Sequence, residues 1–335
     1  MANVLVMASF LALWLCAPAF LAAQSTSPHE VGPEDYRVFT GAGVVASLDD
    51  ILHASLAADV VFLGETHSDR VGHALKLDVL RRLLDRSRAA AEAEPASAGA
   101  RPVVLSLEMF ERDVQYVLDE YLAGLIGEDH FLKSSRPWLH YATDYRPLVE
   151  LARERGTPVV AANAPRRYVN RVSREGPASL FALSDQAKRA LPPLPWAPPS
   201  AAYRAELDAL SSPHGEPPPG HPPVTSHTTR FGADAQALWD ATMAWSIIQV
   251  LLRSPDALTV HVAGSFHVRN GTGIPEHLVR YRPGTRMITV LLVPAAERAD
   301  LPETLEATAD YVILTDAARA RPLAEQLGGG AGGSR

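Results

Sequence analysis

A chain of 335 residues that is 47% apolar has enough hydrophobic mass for one large domain, or one with a sizeable insertion, which excludes the disordered class. Its net charge of −7 and pI near 5.9 leave no basic excess to neutralise phosphates, so nucleic acid is not an expected partner. Of the 31 basic residues only Lys76, Lys133 and Lys188 are lysine, which reads as a compositional bias.

Residues 4–16, VLVMASFLALWLC, form an apolar run too short for a comfortable membrane span, and the small-residue stretch APAFLAAQ follows. Together they predict a signal peptide over residues 1–23, cleaved after Ala23 or, second, after Ala19, and hence an exported, periplasmic or secreted protein. The n-region MAN carries no Lys or Arg. Cys16 is the sole cysteine and lies inside this segment. Cleavage removes it, and with it disulfides, thiolate metal sites, iron–sulfur clusters and covalent haem attachment. The alternative, a membrane anchor through lipidated Cys16, is disfavoured by the bulky Leu13, Trp14 and Leu15 before it.

A polar leader (24–34) precedes the α/β region predicted for residues 35–320. Within it six apolar, β-rich runs recur: DVVFLG (59–64), PVVLSLE (102–108), TPVVAAN (157–163), LTVHVAG (258–264), RMITVLLV (286–293) and YVIL (311–314). Each has the near-continuous hydrophobicity of a strand covered on both faces. Helical patterns lie between them at 73–86, 113–124 and 145–156. This alternation predicts an α/β fold, a parallel β-sheet flanked by helices. Residues 89–100, AAAEAEPASAGA, read as an exposed connection. The regularity breaks at about 164–233, where helix-like pieces around 168–191 and 200–211 flank LPPLPWAPPS, and PHGEPPPGHPPVTSH supplies a stretch incompatible with a regular element. We read a smaller, Pro-rich helical subdomain inserted there. A long buried helix at 233–254 follows, and the chain ends in a flexible tail, 321–335.

Ligands of open parallel sheets bind outside the carboxyl ends of the strands. The first run ends in Gly64, Glu65, Thr66 and His67, the second in Glu108, the third in Asn163 with Arg166 and Arg167 beyond, and the fourth in Gly264, Ser265, Phe266 and His267. Two G-x-x-H units at strand ends, with a glutamate at a third, point to one shared site. Taken alone, Glu65 with Thr66 or Ser68 also fits a helix cap. His73 reads as a helix-surface histidine, His261 as a packing histidine within a strand, His140 as a weak candidate, and His214, His221 and His227 as members of a solvated loop. Glu65, His67, Glu108 and His267 could hold a divalent metal ion with positions open for water, or work without metal, one histidine as general base oriented by a glutamate. No G-x-S-x-G elbow or P-loop occurs, and no G-x-G-x-x-G fingerprint follows any of the six apolar runs.

FLGETHSDRVGHALKLDVLRRL, LSLEMFERDVQYVLDEYLAG, VVAANAPRRYVNRVSREG, QALWDATMAWSI and HVAGSFHVRNGTGIPEHL, in this order over roughly residues 35–315, resemble the successive blocks of the ChaN-like family of haem and iron uptake. Through that family the chain resembles the wider superfamily of Tiki proteases and erythromycin esterases, marked by two G-x-x-H motifs and two glutamates. By motif these fall on His67, His267, Glu65 and Glu108. The resemblance implies haem binding through a tyrosine ligand, a homodimer enclosing haem, and outer-membrane haem-uptake components as partners. Tyr141, Tyr145, Tyr168 and Tyr203 are the tyrosine candidates, each of which also fits a packing role. Two functions follow: a haem-binding protein of iron acquisition, or a metal-dependent hydrolase of amide or ester bonds using Glu65, His67, Glu108 and His267.

Overall fold

The computed structural model describes residues 31–93, 101–211 and 230–320. The predicted signal peptide, the tail, the end of the 89–100 connection and the loop carrying His214, His221 and His227 lie outside the described residues. The described strands are β1 (Tyr36–Thr40), β2 (Val45–Ala46), β3 (Val60–Glu65), β4 (Val103–Glu111), β5 (Val159–Asn163), β6 (Leu258–Gly264), β7 (Met287–Ala295) and β8 (Tyr311–Asp316). They form one sheet in the order β2-β1-β8-β7-β3-β6-β4-β5. All six apolar runs are strands of its parallel part, β3 to β8.

The edge differs from expectation. Neither β1 nor β2 has a continuous apolar run, because both lie on the antiparallel margin and β1 pairs with β8 and β2. β1 buries only Val38 and Phe39, one on each face of the sheet, between more exposed Tyr36, Arg37 and Thr40, so its apolar signal is two residues long.

The helices are α1 (Leu48–Ser55), α2 (Arg70–Ala93), α3 (Gln115–Leu122), α4 (Glu128–Ser135), α5 (Tyr141–Asp144), α6 (Arg146–Arg155), α7 (Arg166–Glu175), α8 (Asp185–Lys188), α9 (Ala201–Ser211), α10 (Gly232–Arg253) and α11 (Ile274–Tyr281). Two apolar clusters sandwich the sheet. One joins α2, α3 and α6 to residues such as Leu63, Leu105 and Val262. The other joins α7, α10 and α11 to Val60, Phe62 and Leu291. Successive side chains of β3 feed opposite clusters, which is why this strand is apolar at every position. As expected, α10 is buried along most of its length. The segment from α7 to α9 holds the short helices of the insertion, built on Pro-rich turns. No described helix is long and apolar enough to cross a membrane.

Gly64 fits where nothing larger does. A Cβ there would lie 2.7 Å from both Leu291 Cδ2 and Val268 Cγ2, and 3.2 Å from Ser265 Cα. Gly64→Ala therefore overpacks the exit of β3 against the turn after β6, and we expect a loss of about 1–3 kcal/mol in urea unfolding. An unchanged midpoint would show that this turn yields freely.

Candidate functional site: a buried histidine and carboxylate centre

The strand order makes β3, β6 and β4 consecutive in the sheet, so their carboxyl ends converge. Glu65 pairs across from Gly264 in the register of β3 and β6. All four motif residues lie in one buried centre: Glu65, His67, Glu108 and His267 are between 1% and 7% exposed. Glu108 sits inside β4 rather than at its end, because β4 runs on to Glu111 through a register irregularity after Leu107.

Glu65 gathers donors. His67 Nδ1 lies 2.6 Å from Glu65 Oε1, and the Tyr145 hydroxyl donates to the same oxygen at 2.6 Å. The Lys76 ammonium contacts Glu65 Oε2. A carboxylate in this position holds the His67 hydrogen on Nδ1 and leaves the lone pair on Nε2. Burial pushes the His67 imidazolium down, against the opposing charge of Glu108, so the ring is neutral at neutral pH. Trp138 stands edge-on to His67, ring centroids 5.2 Å apart.

On the far side, His267 Nδ1 lies 2.6 Å from Asp240 Oδ1, and the Tyr203 hydroxyl donates to Asp240 Oδ2. His267 Nε2 is 3.5 Å from Glu108 Oε1, while Glu108 Oε2 accepts the Gly264 N–H at 2.7 Å. Burial alone would depress His267. The charges of Asp240 and Glu108 and the hydrogen bond to Asp240 outweigh it and raise the imidazolium to about 9. The two motif histidines are thus pushed in opposite directions, His67 down and His267 up, the pattern that separates an acid from a base.

His73 corrects the sequence reading. It is not on the helix surface but 7% exposed, facing the centre. Its Nε2 donates to the His67 carbonyl at 3.0 Å, and Lys76 Nζ donates to its Nδ1 at 2.9 Å. Burial holds His73 neutral and pushes Lys76 down to about 7 against Asp144 and Glu108. His261 packs as expected, its Nδ1 2.9 Å from Ser106 Oγ within the sheet. Asn163, Arg166 and Arg167 do not join the centre. Asn163 Oδ1 caps the Ala164 N–H, the Arg166 N–H donates to Glu111, and Arg167 pairs with Asp113 in a surface network that includes Arg136.

Three polar residues of the centre escaped the strand-end search: Lys76, Asp144 and Asp240. Each sits within a helix. The signal was present for Asp240, the one charge within the long apolar run of α10, and for Lys76, a charge flanked by Leu75 and Leu77. Among the described residues no group of three or more His, Cys, Asp or Glu is arranged to hold a metal ion. The four motif residues are instead engaged within the protein: Glu65 with His67, Tyr145 and Lys76, Glu108 with Gly264, and His267 with Asp240.

The tyrosine candidates separate by environment. Tyr141 is buried among Phe110 and Phe131. Tyr145 and Tyr203 are buried donors to Glu65 and Asp240. Tyr168 alone of the four is only partly buried; it packs against the apolar cluster of α7, α10 and α11, and Arg167 lies 4.3 Å over its ring and donates to its hydroxyl at 3.2 Å. Phe181, Leu191, Leu194 and Trp245 line a cleft of about 420 Å3 with Lys188 and Arg189 among its walls. A second hollow of about 200 Å3 shares Phe181 and Leu194 and adds Trp196 and Asp234.

A mostly parallel α/β sheet, a helical Pro-rich insertion and a buried histidine and carboxylate centre at adjoining strand ends define the class of this protein. The chain belongs to the family described as "Haem-binding uptake, Tiki superfamily, ChaN", whose model matches residues 51–278. Among solved structures it is similar to ChaN of Campylobacter jejuni, described by its cofacial haem binding, with a TM-score of 0.59 and 18% identity over 85% of this chain and 98% of that one. This similarity establishes the shared fold. It is also similar to the type III effector HopBA1, at TM-score 0.39 and 11% identity over 80% of this chain and 93% of that one. A Bacillus cereus protein matches at TM-score 0.36 and 12% identity over 78% of this chain and 72% of that one. No curated protein matches the chain.

Proposed function

We propose that this protein binds haem in the cleft beside the insertion, as an exported component of haem or iron acquisition. The observation that carries the reading is the cleft itself: apolar walls at Phe181, Leu191, Leu194 and Trp245 suit a porphyrin face, and Lys188 and Arg189 suit its propionates. Family membership and the cofacial haem binding of the Campylobacter jejuni relative support it. We assign the axial ligand to Tyr168, whose phenol reaches the surface beside Arg167, while Tyr141, Tyr145 and Tyr203 are enclosed. Under this reading two copies meet over the haem and pass it to outer-membrane uptake components.

Hemin titration of the full chain tests the reading. A saturable Soret shift is expected, weakened at least tenfold in Tyr168→Phe, a cost of about 1.4 kcal/mol. Absence of a saturable shift in the wild type overturns haem binding; an unaltered Tyr168→Phe spectrum overturns the ligand assignment only.

A second reading is favoured by the opposed states of His67 and His267. It is acid–base hydrolysis of an ester or amide. His67 Nε2 takes a proton from water, whose hydroxyl adds to the carbonyl carbon. His267 gives its Nε2 proton to the departing alcohol or amine as that bond breaks. The products are a carboxylic acid and the alcohol or amine. The proton left on His67 then returns to His267 by way of Glu108, which restores both rings.

A further inference from the structure

The centre repeats one motif. Tyr145 donates to Glu65, which faces His67 Nδ1; Tyr203 donates to Asp240, which faces His267 Nδ1. The six residues come from unrelated places. Glu65 and His67 flank the end of β3, and Tyr145 lies between α5 and α6; Asp240 is on α10, His267 follows β6, and Tyr203 is on α9 of the insertion. The two chains differ in one detail: Tyr145 and His67 share Oε1 of Glu65, whereas Tyr203 and His267 take separate oxygens of Asp240, and in both the ring is set by a bond at Nδ1. The Nε2 of His267 lies 3.5 Å from Glu108.

Packing fixes the second chain tightly. Tyr203 is fully buried and stacks obliquely on Phe266, ring centroids 5.1 Å apart, next to His267 itself. Gly273, at φ +63°, brings its Cα so close that a Cβ would stand 2.6 Å from the His267 carbonyl oxygen and 3.3 Å from Asp240 Cγ. Thus Gly273 packs closely against both the His267 backbone and the Asp240 side chain, which holds the turn after β6 against α10. Two hydrogen bonds on one carboxylate also share its charge: a donor at Oδ2 weakens what Oδ1 offers to His267.

We propose that Asp240 and Tyr203 are positioning residues for His267, with Tyr203 setting how strongly Asp240 holds the His267 Nδ1 hydrogen. This rests on the acid–base reading of the centre and adds to it the parts that orient the acid. It also gives the insertion a role in the centre, because α9 supplies the hydroxyl. Tyr145 stands to Glu65 and His67 as Tyr203 does to Asp240 and His267.

The test is proton NMR of the full chain with labelled imidazole nitrogens. The short His267 to Asp240 bond is expected to give a far-downfield Nδ1–H resonance that exchanges slowly. Tyr203→Phe, which keeps the ring, should move that resonance further downfield, since Asp240 then has one donor fewer. Asp240→Asn should abolish it, and Asp240→Glu should restore it in part. Hydrolysis of p-nitrophenyl esters and an amino-acid anilide is followed in parallel, and a severalfold fall in kcat with KM unchanged is expected for Tyr203→Phe. A folded Tyr203→Phe protein whose resonance stays in place overturns the proposal. The resonance behaving as stated while the wild type turns over neither probe supports the positioning and counts against the acid–base reading alone.

Discussion

Asp240→Ala is expected to destabilise the protein by about 3–5 kcal/mol, the range for breaking one side of a buried ion pair. The cause is the charge left behind. His267 is 1% exposed and its imidazolium is raised to about 9 largely because Asp240 and Glu108 answer the cost of burial. Without Asp240 the ring must lose its proton or stay charged with Glu108 alone, and the Tyr203 hydroxyl loses its acceptor in a fully buried position. Urea unfolding at pH 7.5 checks this. The double variant Asp240→Ala with His267→Ala should cost less than the sum of the singles, because it removes the stranded charge together with its partner. Additive losses would mean that the two side chains act independently.

Acidification should unfold the protein well before its carboxylates titrate. His67, His73 and His277 are held below the ordinary imidazole range by burial, and His261 is pushed down to about 3. The unfolded chain binds protons on all four near pH 6.5, and the folded chain does not. Their contribution is therefore complete above roughly pH 6.5 and lost as pH falls toward the folded values. His261 alone accounts for on the order of 5 kcal/mol across that window. Two groups act on the alkaline side with opposite signs. His267, raised to about 9, adds stability that is complete below roughly pH 6.5 and disappears as pH rises through 9. Lys76, depressed to about 7, adds stability that is complete above its unfolded value and lost as pH falls through 7. The two offset one another between 7 and 9. Urea midpoints should be nearly level across that span and fall steeply from pH 6.5 to 5, by roughly 2 kcal/mol or more. A midpoint at pH 5 equal to that at pH 7.5 would show that these rings are not held neutral.

What the sequence revealed follows from what each element buries. The six parallel strands are covered on both faces, so their hydrophobicity is continuous and shows without ambiguity. β1 and β2 are an edge pair whose Val44 and Val45 neighbourhood is exposed, and no run marks them. Strand-end logic found Glu65, His67, Glu108 and His267, since a residue just past an apolar run has a predictable place. It failed for His73 and Asp240. Which side of a helix faces the centre depends on how the helix is rotated, and sequence leaves that open. His73 and Lys76, three residues apart, do share one helix face, and the presence of lysine in an apolar stripe was the better clue. Tyr145 and Tyr203 looked alike as tyrosines beside helices; only the fold shows that both end on carboxylates.

The anchoring of the centre has a dynamic consequence. β3 and β6 are paired on both sides within the sheet, and they carry Glu65 and the turn of His267. Amide hydrogens in such strands exchange with solvent only when the whole domain opens. Trp138 and His140 lie instead on the segment between α4 and α5, where Arg136 and His140 adopt left-handed backbone angles. One wall of the centre is therefore as durable as the fold itself, while the ring of Trp138 that stands edge-on to His67 is carried by a connection outside the sheet.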